Sequence, residues 1–212
     1  MREDRPTTAQ PGNEGIHERG GFLSPALILR AYRAGIFPMG INRDGDIGWF
    51  SPDPRALIPL DDRFHITHGL KRALRKNSFR ITVNSDFASV IQGCATAHGE
   101  TWISAEIVDN YCELHRLGFA HAIEVWQNEE LAGGLYGVAL GGAFFGESMF
   151  HRIADASKVA LVALVERLRA RNFVLLDTQW TTPHLEQFGT FQVRKGDYLK
   201  LLRAALSLDC SF

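Results

Sequence analysis

The stretch from Ala120 to Phe150 constrains the fold of this chain more than any other. It is apolar for most of its length and is interrupted at two places, Glu129-Glu130 and Gly141-Gly142. Paired glycines allow positive φ, so Gly141-Gly142 predicts a tight hairpin turn, and Glu129-Glu130 is read as the turn before it. Three strands joined in this way run antiparallel, and their apolar faces need cover. The residues that follow supply it. A helix is predicted from about Asp155 to Arg171, with Val159, Leu161, Val162, Leu164, Val165 and Leu168 inward. A strand over Phe173–Leu176, a short helix near 181–187, a strand over Thr190–Val193 and a terminal helix from about 196 to 206 complete the chain. A strand meander followed by helix, strand and helix predicts an α+β fold in layers.

The first half divides differently. Ser24 and Pro25 stand where a helix N-cap and first position belong, Leu27, Ile28, Ala31 and Tyr32 form its inner face, and Gly35 and Pro38 end it. Between residues 40 and 60 the Asp44-Gly45 turn, Ile47–Phe50 and three prolines predict short strands with rigid turns. Helices are expected over Thr67–Lys76, about 85–97 and about 104–117, with a strand over Phe79–Val83. The helix near 104–117 carries Ile103, Ile107, Tyr111 and Leu114 as one stripe. The expected organisation is a loose arm over 1–19, a small N-terminal domain over 20–60 and a larger domain over 61–212.

Composition narrows the setting. A net charge of -1 gives no whole-molecule attraction to nucleic acid, so any RNA contact needs a local patch. Cys94, Cys112 and Cys210 are widely spaced, without a C-x-x-C pair, as suits a reducing cytosol. The polar start lacks the apolar run of a signal peptide, and no stretch is long and apolar enough for a membrane span. A cytoplasmic protein is expected.

Three segments can carry chemistry. Lys71, Arg72, Arg75 and Lys76 share one side of a helix whose Leu70 and Leu74 face inward, a patch suited to an RNA backbone. A solvated helix face is the simpler account of the same spacing. Glu147 lies among Phe144, Phe145, Met149 and Phe150, where a carboxylate is costly without a partner or a cationic substrate. Pairing with Arg152 or Lys158 would also satisfy it. Asp177-Thr178-Gln179 follows the apolar run Phe173–Leu176, at the carboxyl end of a strand where sites in layered folds gather. Asp177 as a helix N-cap is the plainer alternative.

Trp49, Trp102 and Trp126 can stack on bases or fill core and rim positions. His115, His121 and His184 lack metal-ligand spacing, and the glycines fit neither a P-loop nor a dinucleotide fingerprint. No G-x-S-x-G elbow occurs.

Taken in order, the segments resemble a known family. Gly20–Pro25, Ala31–Pro38, Trp49–Ala56, Cys94-Ala95, Thr101–Ile103, Glu124–Trp126, Gly133–Ala139, Phe145–Phe150 and Ala156–Lys158 match the motifs of bacterial leucyl/phenylalanyl-tRNA–protein transferases. The resemblance runs from Gly20 to about Leu202. It implies a larger domain similar to the N-acetyltransferase fold, acting as a monomer without metal or coenzyme. It implies transfer of leucine or phenylalanine, and less readily methionine, from aminoacyl-tRNA to proteins beginning with Arg or Lys. By motif position it implies a reaction centre of Asp177, Gln179 and Glu147; on chemical grounds Asp177, aided by Gln179, is expected to orient the amine and take its proton, directly or through a relay. The resemblance assigns Lys71, Arg72, Arg75 and Lys76 to the tRNA, and Phe144, Phe145, Met149 and Phe150 to the pocket for the apolar side chain; Trp49 and Trp102 are expected as further substrate contacts through stacking.

Three departures accompany the match. Phe37-Pro38-Met39 stands for Phe-Pro-Trp, Asp177-Thr178-Gln179 for Asp-Cys-Gln, and residues 184–190 carry larger groups than the usual His-x-x-Ser-Leu-Gly-Ala. Two rivals remain at this point. One is an acyl-CoA-dependent acetyltransferase, whose Arg/Gln-x-x-Gly-x-Gly/Ala signature is missing near 150–160. The other is a non-catalytic RNA-binding module.

Overall fold

Capping side chains fix where most helices begin. In the computed structural model, which describes residues 23–42, 46–76, 78–97 and 101–212, Ser24 Oγ accepts from the backbone N–H of Leu27 and opens α1 (Pro25–Arg33). Gly35 takes φ +76° beyond its end, a conformation that glycine adopts without strain. Thr67 caps α2 (His68–Arg75), Asp86 caps α3 (Phe87–Thr96) and Ser104 caps α4 (Ala105–Arg116). Each such cap contributes about 1 kcal/mol. For α5 (Ala156–Ala170) the N-cap Asp155 has φ +68° and makes no cap bond, and its carboxylate is held by Lys158 at 2.9 Å. Thr182 caps the short α6 (Pro183–Glu186), and α7 (Lys195–Leu206) is the last helix.

The strands form two sheets. β1 (Phe37–Gly40) pairs antiparallel with β2 (Ile47–Phe50). The larger sheet holds β3 (Arg55–Ile58), β4 (Arg80–Val83), β5 (Ala120–Gln127), β6 (Glu130–Leu140), β7 (Ala143–His151), β8 (Leu175–Gln179) and β9 (Phe191–Val193). Its order is β4-β5-β6-β7-β8-β3-β9, with β7 and β8 parallel and the other neighbours antiparallel. One core layer, containing Tyr32, Val90, Ile107, Tyr111 and Phe145, lies under α1, α3, α4, α7 and the small sheet. The other, containing Leu70, Val159, Val162, Leu168 and Phe144, lies under α2 and α5. This is the layered α+β architecture, with a small N-terminal unit beside a larger sheet.

Three boundaries differ from expectation. The first hairpin turns on Asn128-Glu129, both at positive φ, and Glu130 already pairs with Gln127. Asn tolerates the left-handed region better than a second Glu, which places the turn one residue earlier. β8 runs on through Asp177, Thr178 and Gln179, because Asp177 and Gln179 find ladder partners in Leu57 and Ala56. Residues 55–58, grouped by sequence with the small unit, sit between β8 and β9 in the larger sheet. The predicted arm over 1–19 and the Asp44-Gly45 turn fall outside the described residues.

The sheet opens between β7 and β8. β7 pairs with β8 only where Ala143, Phe144 and Phe145 meet Leu175, Leu176 and Asp177. Past that point β8 is paired with β3 and β7 with β6, so a seam opens beside Gly146–His151.

Candidate active site

A single register change aims a carboxylate at this seam. Tyr136 of β6 faces Ser148 and Gly137 faces Gly146, which leaves Glu147 as the extra residue of a β-bulge. Bulges re-aim side chains by adding a residue that the partner strand does not match. The packing records the shift. Phe145 and Phe150 share one core layer although they stand five positions apart, an odd offset that alternation would send to opposite faces, while Phe144 and Met149 belong to the other layer. Gly137 permits this geometry, since a Cβ there would collide with the Phe145 carbonyl oxygen and the Phe144 ring. Gly137→Ala is expected to cost about 1–3 kcal/mol of stability. A denaturation midpoint equal to that of the native chain would show that the strand absorbs the methyl group.

Glu147 is half-buried and faces the layer of α1 and α4. The Tyr111 hydroxyl donates to its Oε2 at 3.1 Å, and Gln179 Nε2 donates to its Oε1 at 3.2 Å. The Tyr32 hydroxyl lies 2.6 Å from that of Tyr111, extending the chain of polar groups inward. Burial pushes the Glu147 carboxyl up from its ordinary 4.5 to about 7. The Tyr32 and Tyr111 hydroxyls oppose that rise, the Asp177 charge adds to it and Arg55 counters it. A carboxyl that gives up its proton near neutrality suits proton transfer at physiological pH. The bland pairing is not made: Lys158 binds Asp155, and Arg152 Nη1 donates to the Leu131 carbonyl at 3.2 Å.

Asp177 is fully buried and its oxygens are occupied. Arg55 Nε donates to Oδ1 and Oδ2 at 2.9 and 3.1 Å, and Nη2 to Oδ2 at 2.8 Å. The Tyr198 hydroxyl donates to Oδ2 at 2.7 Å, and the backbone N–H of Gln179 to Oδ1 at 2.9 Å. A carboxylate so surrounded has no free lone pair for an incoming amine. Gln179 has φ +61°, a left-handed conformation that costs a non-glycine residue on the order of 1–3 kcal/mol. The N-cap alternative for Asp177 does not apply within β8.

Asp177, Gln179 and Glu147, singled out from the sequence, are thus brought together at the seam. The other selected residues are spread more widely. Trp49 packs in the same core layer as Phe145 and Phe150, and the backbone carbonyl of Trp102 accepts from the N–H of Gly40 at 3.2 Å. Phe144 and Met149 lie across the sheet. Trp126 donates to Thr82 Oγ1 at the β4 side of the sheet. Lys71, Arg72, Arg75 and Lys76 are exposed on α2, with Leu70 buried beneath them. Among the described residues, no carboxylate is within ion-pairing distance of these four. Nor, among those residues, do His, Cys, Asp or Glu gather in a group that could hold a metal.

Sequence reasoning missed Arg55, Tyr32, Tyr111, Tyr198 and Trp180. Trp180 follows Gln179 and meets Phe37 and Phe50 edge-on at 5.1 and 6.2 Å, forming an aromatic wall beside the seam. The tyrosines carry a usable signal, because a hydroxyl on an inward helix stripe must find a polar partner. Arg55 lies inside the matched Trp49–Ala56 stretch, but nothing local reveals that its side chain turns inward.

Comparison with known proteins places this geometry. The family described as leucyl/phenylalanyl-tRNA protein transferase matches residues 57–203, and the family described as the N-terminal domain of that transferase matches residues 21–53. A leucyl/phenylalanyl-tRNA–protein transferase of Akkermansia muciniphila is 58% identical over 186 residues, spanning 87% of this chain and 96% of its own. One from Herpetosiphon aurantiacus is 51% identical over 190 residues, spanning 90% and 98%. Among solved structures, a GCN5-related N-acetyltransferase-like protein from Streptococcus suis aligns with TM-score 0.41 and 16% identity, over 80% of this chain and 64% of that one. That last likeness is too distant to bear on chemistry. With both profiles matching in chain order and identities above one half over nearly the full length of both relatives, the chain belongs to the leucyl/phenylalanyl-tRNA–protein transferase family.

Proposed function

We propose that this enzyme transfers leucine or phenylalanine, and less readily methionine, from aminoacyl-tRNA to the N-terminal Arg or Lys of acceptor proteins, marking them for degradation. The observation that carries the reading, beside family membership, is Glu147 bulged into the β7/β8 seam and held there by Gln179 and Tyr111. The donor ester is already activated, so the enzyme's task is to hold a neutral amine against its carbonyl. The amine nitrogen forms the new C–N bond and its proton passes to Glu147. The ester C–O bond breaks, and the terminal ribose hydroxyl leaves with a proton returned from the same carboxyl. The role of proton acceptor falls to Glu147 rather than Asp177, because Arg55 and Tyr198 occupy the Asp177 oxygens. Since Asp177 is neutralised by Arg55, Glu147 also supplies the negative charge that a cationic N-terminal residue seeks, and that cation in turn favours its ionised form.

Trp49, Trp102, Phe145 and Phe150 are our proposed contacts for the donor's apolar side chain and terminal base. Phe144 and Met149 shape the seam from the other layer. Apolar pockets separate side chains differing by one methylene by only about 1–3 kcal/mol, in keeping with several accepted donors. The exposed cations of α2 take the tRNA backbone. Lys71→Ala combined with Arg75→Ala is expected to lower the slope of log affinity against log salt by about 1.5, since each phosphate contact contributes about 0.7–0.9. An unchanged slope in a filter-binding titration would remove α2 from the tRNA surface.

The same reading places the protein in the cytoplasm as a monomer, with a small N-terminal unit that ends before β3. Three free thiols, and the lack of any helix among the described residues able to cross a membrane, agree with that setting. The test is incubation with leucyl-tRNA labelled in the amino acid and a protein beginning with Arg. Label recovered at the acceptor's N-terminus is the expected result, and charged tRNA bound without transfer would overturn the reading.

A further inference from the structure

Arg55 and Tyr198 are 0% and 1% exposed, so neither can touch a substrate. Both end on Asp177, and each is tied into a different part of the molecule. Arg55 comes from β3, donates through Nη1 to the Gly35 carbonyl at 3.2 Å, and lies between the rings of Phe37 and Tyr198 at 4.8 and 4.6 Å. Tyr198 comes from α7. The small sheet, the end of α1, the edge of the large sheet and the last helix therefore converge on one carboxylate. That carboxylate in turn holds the N–H of Gln179, the residue with a left-handed backbone beside Glu147. The bond from the Gln179 N–H ties the backbone of that residue to the ion pair. Released from it, Gln179 would relax to negative φ and swing its carboxamide away from Glu147.

We propose that Arg55 and Tyr198 are positioning residues for the transfer, acting through Asp177 to lock Gln179 in the left-handed conformation that aims its carboxamide at Glu147. This rests on the function given above. The locked amide fixes the Oε1 of Glu147 while Tyr111 fixes Oε2, so the carboxylate meets the amine in one orientation. Precise placement of this kind raises the rate of the chemical step and leaves donor binding alone.

The test is a double-mutant cycle. Tyr198→Phe is expected to lower kcat by about 10-fold, with KM for leucyl-tRNA within about 2-fold of the native value. Gln179→Ala should lower kcat by about 100-fold, and the combined variant should be no slower than Gln179→Ala alone within about 2-fold, because residues acting through one another do not add. Losses that multiply to about 1,000-fold, or a Tyr198→Phe enzyme as fast as the native one, would overturn the proposal. A second measurement does not depend on turnover. In Arg55→Lys, which keeps the charge but not the paired donors, the Gln179 amide should exchange its hydrogen at least about 10-fold faster while Leu176 is unaffected. Equal protection of Gln179 in the two proteins would also overturn it. Native enzyme that makes no labelled product would instead sink the function itself, and the exchange experiment would still judge the hold on Gln179.

Discussion

Glu147→Gln is expected to lower leucine transfer by about 10²–10⁴-fold at neutral pH, the range that a positioned proton acceptor contributes. Glutamine retains the shape, its oxygen can still accept from Gln179 and its NH2 can donate to a reoriented Tyr111 hydroxyl, but it cannot accept the amine's proton. Native kcat/KM should rise with pH through an inflection near 7, where Glu147 of the free enzyme ionises, and the residual activity of the variant should lack that inflection. The same substitution has a stability signature of opposite sign. Burial raises the folded-state value of Glu147 above its ordinary 4.5, so the folded protein binds this proton more tightly than the unfolded chain. The associated stability is fully present below about 4.5 and is lost as pH rises through about 7. A displacement from 4.5 to about 7 corresponds to about 3 kcal/mol. The variant should therefore match the native protein near pH 4.5 and exceed it by up to that amount above pH 8. Urea unfolding at the two pH values checks this. Parallel loss of stability in both proteins would mean that Glu147 titrates as an exposed carboxyl does.

Arg55→Ala is expected to be the most destabilising single change discussed, at about 3–5 kcal/mol, because it leaves the Asp177 carboxylate buried and unpaired. For a chain of this length that corresponds to a fall in Tm of roughly 10 °C. Asp177→Ala leaves Arg55 buried beside the Phe37 and Tyr198 rings without its carboxylate and should cost a comparable amount. Thermal unfolding of both variants checks this, and a native-like Tm in either would show that the buried pair is not what holds this corner of the fold. Both variants should also lose transfer, since the carboxylate that holds Gln179 is disturbed in each.

Much of the fold was legible along the chain because the deciding signals are local. Ser24, Thr67, Asp86 and Ser104 cap helices where their residue types and spacing say they should, and Gly141-Gly142 turns the second hairpin. The stripe of Ile107, Tyr111 and Leu114 is buried as its period requires. Sequence motifs likewise singled out Glu147, Asp177 and Gln179, which the fold brings side by side. A chain's order of side chains determines such things directly, through turns, caps and periods that span a few residues.

What only the tertiary structure decided depends on partners remote in sequence. Arg55 and Asp177 stand 122 positions apart, so their pairing could not be inferred from either neighbourhood. It is this pairing on which we base the proposal that Asp177 anchors Gln179. Strict alternation would put Phe145, Glu147 and Met149 on one face, yet the bulge divides Phe145 from Met149, since one unmatched residue reverses the parity of everything beyond it. The partial pairing of β7 with β8 opens the seam, and it arises because β8 continues alongside β3 from the other half of the chain. Local sequence fixes which elements form; the competition among distant strands for the same backbone partners fixes where the sheet parts and which side chains meet there.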